Sequence, residues 1–306
     1  MTPDDRGLLE DCAFPPADTA VVLAVSGGPD SLGLLLLALA AGLRVEVHHV
    51  DHHARPTSSD DASYVRQVCE KLAVPCVIHD VVVEPGANFE ARARAERRAV
   101  LPEGSLTGHT MDDLVETVLL NMVRGAGIDG LSPMVNDPTK PLRGVRRAPL
   151  HLFVEASNFV ALHDETNDDL TFRRNRVRHQ LLPLMCEVAE RDVVPIIARQ
   201  AGVLFEERAW LDDLASNDVT LELADADCRE LRRWPRARLR RWLRLKLFVL
   251  DEVGERHPPS AAEIERALSV VVGDVVATEL SGGRRLSRRG QHLSLEDGST
   301  TLTKHG

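Results

Sequence analysis

Residues 20–31 read Ala-Val-Val-Leu-Ala-Val-Ser-Gly-Gly-Pro-Asp-Ser. The first six form a short, β-branched apolar run that ends in a polar, glycine-rich turn, which is the pattern of a buried strand. Beyond the turn, Leu32, Leu35, Leu36 and Leu39 recur at helical spacing. A strand that passes through glycines into a helix suits an anion. Glycines let the backbone turn tightly and approach a ligand closely. The N–H groups that open a helix then point at the anion, aided by the helix dipole. Ser26 and Ser31 add hydroxyl donors. Asp30 adds a negative charge that a bound Mg²⁺ would offset. Ser26, Gly27, Gly28, Pro29, Asp30 and Ser31 are therefore expected to hold phosphates, with Asp30 also a ligand of Mg²⁺.

The alternation continues outward from this turn. Residues 44–50 (RVEVHHV) predict a second strand, 58–72 a helix with Pro75 beyond its end, and 76–83 a third strand. Residues 88–100 predict a helix and 106–108 the end of a short fourth strand. Residues 112–124 predict a fourth helix, stopped by Gly125 and Gly127. Strand–helix alternation of this kind predicts an α/β fold, with a mainly parallel sheet covered on both faces. After Asn175 helical patterns dominate, and strand signals return only near 275–280 and 293–295. A chain of 306 residues fits two domains, expected at 1–185 and 186–306, the second smaller and mainly helical.

Three acids open the fourth helix. Asp112 and Glu116 are four apart and Asp113 and Glu116 three apart, so their like charges share a face and repel. A magnesium ion, an arginine or a lysine ammonium is expected to compensate them. The net charge of −10 argues against a nucleic-acid partner, but it averages over local patches, and patches set phosphate affinity. Residues 229–246 hold nine basic side chains and one acidic one. Trp234 and Trp242 within them read more simply as the core side of an amphipathic helix than as base-stacking platforms. Arg284, Arg285, Arg288 and Arg289 beside Gly282 and Gly283 read as a basic loop.

Other classes are disfavoured. The five cysteines are scattered, with no Cys-x-x-Cys, no disulfide framework and no zinc spacing, as ordinary thiols of a reducing cytosol would be. His48 and His49 are adjacent on a strand and point to opposite faces, which suits structural or substrate contacts better than a metal. The apolar stretch at 32–43 is too short to cross a bilayer. The acidic N-terminus lacks the basic start of a signal peptide. A cytoplasmic protein without membrane association is expected.

The turn at 26–31 is neither a Walker loop nor a Gly-x-Gly-x-x-Gly fingerprint. Ser-Gly-Gly-x-Asp-Ser instead resembles the PP-loop of the N-type ATP pyrophosphatases. More of the chain resembles one branch of that family. The matching pieces are His49-Val50-Asp51-His52, then NFEARAR at 88–94, then Thr107-Gly108-His109-Thr110-Met111-Asp112-Asp113 with Glu116-Thr117. They continue through Asn121, Arg124, Gly125 and Gly127 to Asp164, Asn167 and FRRNRVRH at 172–179. In order and spacing these are similar to the tRNA(Ile)-lysidine synthetases, in a short form.

That resemblance implies an adenine-nucleotide α-hydrolase-like PP-loop domain that uses ATP and Mg²⁺. It implies adenylation of the wobble cytidine of tRNA(Ile) with a CAU anticodon. Free L-lysine then attacks, AMP and pyrophosphate are released, and the carbon–nitrogen bond of lysidine results. On the matching positions it implies catalytic roles for Asp51, His109, Asp113 and Glu116. It implies substrate or tRNA contacts for Arg55, Arg92, Arg124, Arg173, Arg174, Asn175, Arg176 and Arg178. Pairing into a homodimer is left open. Two alternatives stand beside this reading. One is a PP-loop tRNA thiolase, disfavoured by the lack of Cys-x-x-Cys. The other is a non-catalytic RNA-binding protein, disfavoured by the intact turn and the acids at 112–116.

Overall fold

The run Ala20–Ala24 is β1, the strand on which the first unit is built. The computed structural model describes residues 3–51, 58–81, 96, 99–163, 165–219, 221–250 and 256–297. β1 pairs in parallel with β2 (Arg44–Asp51), and β2 in parallel with β3 (Cys76–Asp80). On the other side of β1 the expected fourth strand contracts to one parallel bridge between Leu23 and Leu106. Its bonds run from the Leu106 N–H to the Val22 carbonyl (2.8 Å) and from the Ala24 N–H to the Leu106 carbonyl (2.9 Å). Pairing stops there because the next donor on the β1 side, the Ser26 N–H, goes to Ser31 Oγ (3.2 Å), while the Thr107 N–H on the far side bonds the Thr139 carbonyl (2.8 Å). The parallel α/β arrangement read from the sequence is thus present, with one strand reduced to a single residue pair.

Helix α1 spans Pro3–Glu10, α2 Pro29–Ala40 and α3 Ser58–Leu72. α2 starts at Gly28 as N-cap with Pro29 in the first turn, where a missing N–H costs nothing. Leu32, Leu34, Leu35 and Leu37 are all buried. The apolar surface is therefore wider than the stripe Leu32, Leu35, Leu36 and Leu39, as befits a helix covered on more than one side. One covering element is the sheet. Another is a helix at Arg147–Ala156, named α5 below, whose Leu150 lies against Gly33. A Cβ at Gly33 would stand 2.5 Å from Leu150 Cδ1. Glycine inside a helix costs about 1 kcal/mol. One fully buried leucine returns about 2 kcal/mol, so the close approach of Leu150 outweighs that cost.

Helix α4 is Met111–Val123, and α5 is Arg147–Ala156. A short helix α6 at Arg173–Arg176 runs through a π-helical turn, Val177–Leu181, into α7, Leu182–Ala189. Of the helix expected at 88–100, residues 96, 99 and 100 are helical and the rest lie outside the described residues.

The chain divides into two compact units, one of residues 1–120 and 132–202, the other of 121–131 and 203–306. The division falls inside helix α8, Val194–Val219, rather than at 185. Residues 121–131 join the second unit, where the Asp129 carboxylate pairs with Arg241 and Arg244. The core of that unit gathers Leu231, Leu239, Trp242, Leu243, Ile264, Leu268, Val271, Leu286 and Leu293. Trp242 is fully buried on α10 (Arg236–Lys246), which follows the short α9 (Cys228–Leu231), so its core-facing reading holds. Trp234 is half-buried, edge-on to Trp242, with the Arg238 guanidinium 4.0 Å above its ring.

The second unit carries more sheet than its sequence suggested. A two-residue pair, β4 (Val249–Leu250) and β5 (Arg256–His257), precedes α11 (Ala261–Val272), which opens on a Ser260–Glu263 capping box. Three antiparallel strands follow, β6 (Ala277–Glu279), β7 (Arg285–Arg289) and β8 (His292–Glu296). The arginine cluster read as a loop is β7. Leu286 is buried, and the Arg284 side chain donates to the Leu247 and Phe248 carbonyls. Among the described residues no helix is long and apolar enough to cross a membrane.

Candidate active site

The turn at 26–31 lies at the carboxyl end of β1, the edge where parallel sheets place ligand groups. Gly27 adopts φ +88°, a value that disfavours any side chain, and a Cβ there would stand 2.5 Å from Leu162 Cδ1. The Leu162 N–H donates to the Gly27 carbonyl at 3.0 Å, so residue 162 walls the turn. The Ser26 N–H donates to Ser31 Oγ at 3.2 Å, and the Ser31 hydroxyl donates to the Gly28 carbonyl at 2.9 Å. These bonds close the turn into a ring around the opening N–H groups of α2, whose donors have no partner inside the helix. Such a ring fits the phosphates of a nucleotide.

Asp30 points away from that ring toward α5. Its Oδ1 lies 2.8 Å from His151 Nε2 and its Oδ2 lies 3.5 Å from Arg147 Nε. Arg147 continues inward, donating from one terminal nitrogen to Glu116 Oε1 (2.9 Å) and from the other to Asp113 Oδ1 (2.8 Å). Arg174 donates to Glu116 Oε2 (2.8 Å) and Asp113 Oδ1 (2.9 Å). Arg178 reaches Glu116 with two nitrogens, at 2.7 and 3.1 Å. Glu116 is fully buried and Asp113 nearly so. Arginines are thus the compensation that the closely spaced acids required.

Burial alone raises a carboxyl pKa, and here the neighbours overcome it. Desolvation is the largest influence on Asp113. Arg147, Arg174 and the Thr110 N–H outweigh it and lower the carboxyl to about 2. For Glu116, desolvation is again the largest influence, and the bond from Arg178 with the charge of Arg147 leaves the net direction downward. Both are carboxylates throughout the neutral range. Buried ion clusters are poor stabilisers relative to apolar packing. Their presence beside a nucleotide-type turn marks a site.

The remaining expected residues divide clearly. Asp51 ends β2 and is buried. His109 Nδ1 lies 2.8 Å from Thr107 Oγ1. Arg174 and Arg178, four apart, turn into the carboxylate cluster, whereas Arg173 and Arg176 are exposed. This differs from the expectation that all four face RNA, and helical periodicity is the reason. Asn175 is also turned inward, donating to the Thr166 and Asp169 carbonyls (2.8 and 2.9 Å). Arg124 is exposed in the second unit. Arg55 and Arg92 lie outside the described residues. His48 pairs with His79 at 2.8 Å and His49 Nδ1 lies 2.8 Å from the Val25 carbonyl.

Three site residues carried no motif of their own: Arg146, Arg147 and His151. Arg146 donates to both oxygens of Asp112, and the Arg147 N–H donates to Asp112 Oδ2 at 2.8 Å. The one sequence signal for them was the unmet need for cations near 112–116.

Residues 6–185 match the PP-loop domain family. A tRNA(Ile)-lysidine synthase of Gloeobacter violaceus is 36% identical over 219 residues, covering 65% of this chain and 67% of that protein. The chain belongs to the tRNA(Ile)-lysidine synthase family of PP-loop proteins. A second member, from Coxiella burnetii, is 32% identical over 255 residues, covering 75% of this chain and 57% of its own length. The chain therefore spans between 57% and 67% of these two lysidine synthases. Among solved structures, the U34-tRNA thiolase NcsA from Methanococcus maripaludis with its [4Fe-4S] cluster superposes with a TM-score of 0.54 at 17% identity. That likeness covers 66% of this chain and 78% of the thiolase, and it concerns the PP-loop fold alone.

Proposed function

We propose that this chain synthesises lysidine. In this reading the turn at 26–31 binds the phosphates of ATP, and the wobble cytidine of tRNA(Ile) with a CAU anticodon enters beside it. The cytosine O2 attacks the α-phosphorus, the bond to the bridging oxygen breaks, and pyrophosphate leaves. The ε-amine of free L-lysine, neutral when it attacks, then adds to carbon 2, the C–O bond breaks, AMP departs, and the proton released from the new C–N nitrogen passes to solvent. A pyrimidine carbonyl oxygen is a poor leaving group until adenylated, which is why ATP is consumed. The enzyme is in this reading a ligase that forms a carbon–nitrogen bond.

The observation that carries this proposal is the continuity from Asp30 on the turn, through Arg147, to Asp113 and Glu116. A phosphate-holding turn and a buried anionic cluster share one guanidinium, so the two halves of the reaction have adjoining sites. Of the two roles open to Asp113 and Glu116, orienting the amine suits the geometry. A carboxyl lowered to about 2 is a poor proton acceptor. Asp51 and His109, at the same sheet edge, are proposed to contact the base or nucleotide. Asp30 offers a hard, partly exposed carboxylate oxygen, which would suit Mg²⁺ shared with phosphates once it turns from His151 back to the turn. Bound there, the ion would offset charge on the departing pyrophosphate. Arg173, Arg176 and Arg124 are the exposed arginines proposed to meet tRNA phosphates.

The deciding experiment mixes the protein with ATP, Mg²⁺, labelled lysine and tRNA(Ile) bearing a CAU anticodon. Label fixed in the RNA base is the expected result. AMP formation without label in the RNA would move the reading to another adenylating PP-loop enzyme.

A further inference from the structure

Arg147 occupies an unusual position among the three arginines of the cluster. Its two terminal nitrogens are committed to Glu116 and Asp113. Its Nε is buried and makes no hydrogen bond, yet it lies 3.5 Å from Asp30 Oδ2 on the nucleotide turn. A buried N–H without an acceptor is costly, so this donor is poised to gain one. Its main chain cannot drift. The Arg147 N–H is bonded to Asp112 on α4, and Arg146 grips the same carboxylate. The helix that Arg147 opens packs against α2 through Leu150 and Gly33. The guanidinium, unlike the main chain, is held by side-chain contacts alone.

We infer that Arg147 is a positioning residue that couples occupancy of the nucleotide turn to binding at the Asp113–Glu116 cluster. The inference rests on the functional reading above and adds to it a direction of communication. Phosphates and their cation at the turn draw on the Asp30 carboxylate. Arg147 Nε, losing Asp30 to that cation, then closes on a phosphate oxygen. A planar guanidinium moves as one piece, so closure at Nε shifts the donors on Asp113 and Glu116. These carboxylates are thereby reset for the cationic amine substrate. By linkage, the amine must strengthen nucleotide binding by the same factor. Arg174 and Arg178 touch the same carboxylates, but among the described residues the side chains that pair with Asp30 are Arg147 and His151, so neither supplies this link.

The test is a binding measurement on the full chain. Calorimetry gives the dissociation constant of a non-hydrolysable ATP analogue with Mg²⁺, with and without saturating lysine. In the unmodified protein lysine is expected to tighten the analogue by about tenfold, a typical coupling factor. Arg147→Lys keeps the charge but loses the fork, and the factor should fall to near one. Asp30→Asn should also abolish it, and the double variant should show no further loss, since both remove one link. A merely structural role would weaken both ligands and leave their ratio intact. Arg147→Lys is chosen because Arg147→Ala strands two buried carboxylates, and a thermal melt confirms that the tested variant is folded. A ratio preserved in folded Arg147→Lys overturns the inference while leaving lysidine synthesis standing. An unmodified protein that binds no nucleotide removes both.

Discussion

Gly108 lies so close to the first turn of α2 that a Cβ on it would stand 2.6 Å from the carbonyl oxygen of Asp30 and 3.1 Å from the Ser31 nitrogen. The contact is with backbone, which cannot rotate aside. The residue after the Leu106–Thr107 segment therefore sets the position of the turn at 26–31.

Gly108→Ala is accordingly expected to displace the turn rather than unfold the protein. Overpacking of this kind costs about 1–3 kcal/mol, and the strain falls on Asp30 and Ser31. A nucleotide affinity lower by about thirtyfold corresponds to the middle of that range. Calorimetry with an ATP analogue checks it, and an unchanged affinity would show that the turn yields freely.

The Asp113 carboxyl is lowered from 3.8 to about 2. A depressed carboxyl contributes stability that is present above the unfolded value. That stability is lost as pH falls through the folded one. Here the contribution is about 2 kcal/mol, full above pH 4 and fading between about pH 4 and pH 2. Urea melts across that interval should show a shallower pH slope in Asp113→Asn than in the unmodified chain. Equal slopes would mean that Asp113 titrates normally.

The arginines at 173–178 should separate by direction. Arg173→Ala or Arg176→Ala, both exposed, should lower the log–log salt slope of tRNA binding by about one without loss of stability. Arg174→Ala leaves Glu116 and Asp113 short of a partner and is expected to cost about 2 kcal/mol, discounted for its partial exposure. Filter binding at several salt concentrations and thermal melts distinguish them. A slope change in Arg174→Ala with unchanged melting would reverse the division.

In the second unit Trp242 is fully buried on α10 beside Leu239 and Leu243. Trp242→Ala should cost about 3–5 kcal/mol and broaden or split the melting transition, with nucleotide binding to the first unit retained. Loss of tRNA affinity at undiminished stability would instead make it a base-stacking residue.

How far the sequence went is clearest at particular residues. β-branched alternation and glycine placement are local properties, so β1, β2, α3, the turn at 26–31 and α4 were all legible from it. The strand–glycine turn–helix at 26–31 and the acidic nature of the helix at 112–124 followed from residue type and spacing, and the reading of that turn as a PP-loop from its resemblance to a known family. β7 was missed because arginines flank its one buried leucine, and burial is decided by what packs against a strand. The partners of Asp113 and Glu116 could not be read either. They come from positions 147, 174 and 178, brought together only when α4, α5, α6 and the π-helical turn after it meet. The same run of arginines looked uniform in one dimension, and the helix divided it into inward and outward faces. Local chemistry determined where an anion-type turn and an acidic helix face lie. The long-range pairing of charges, which depends on distance in space rather than along the chain, decided which side chains are free to bind there.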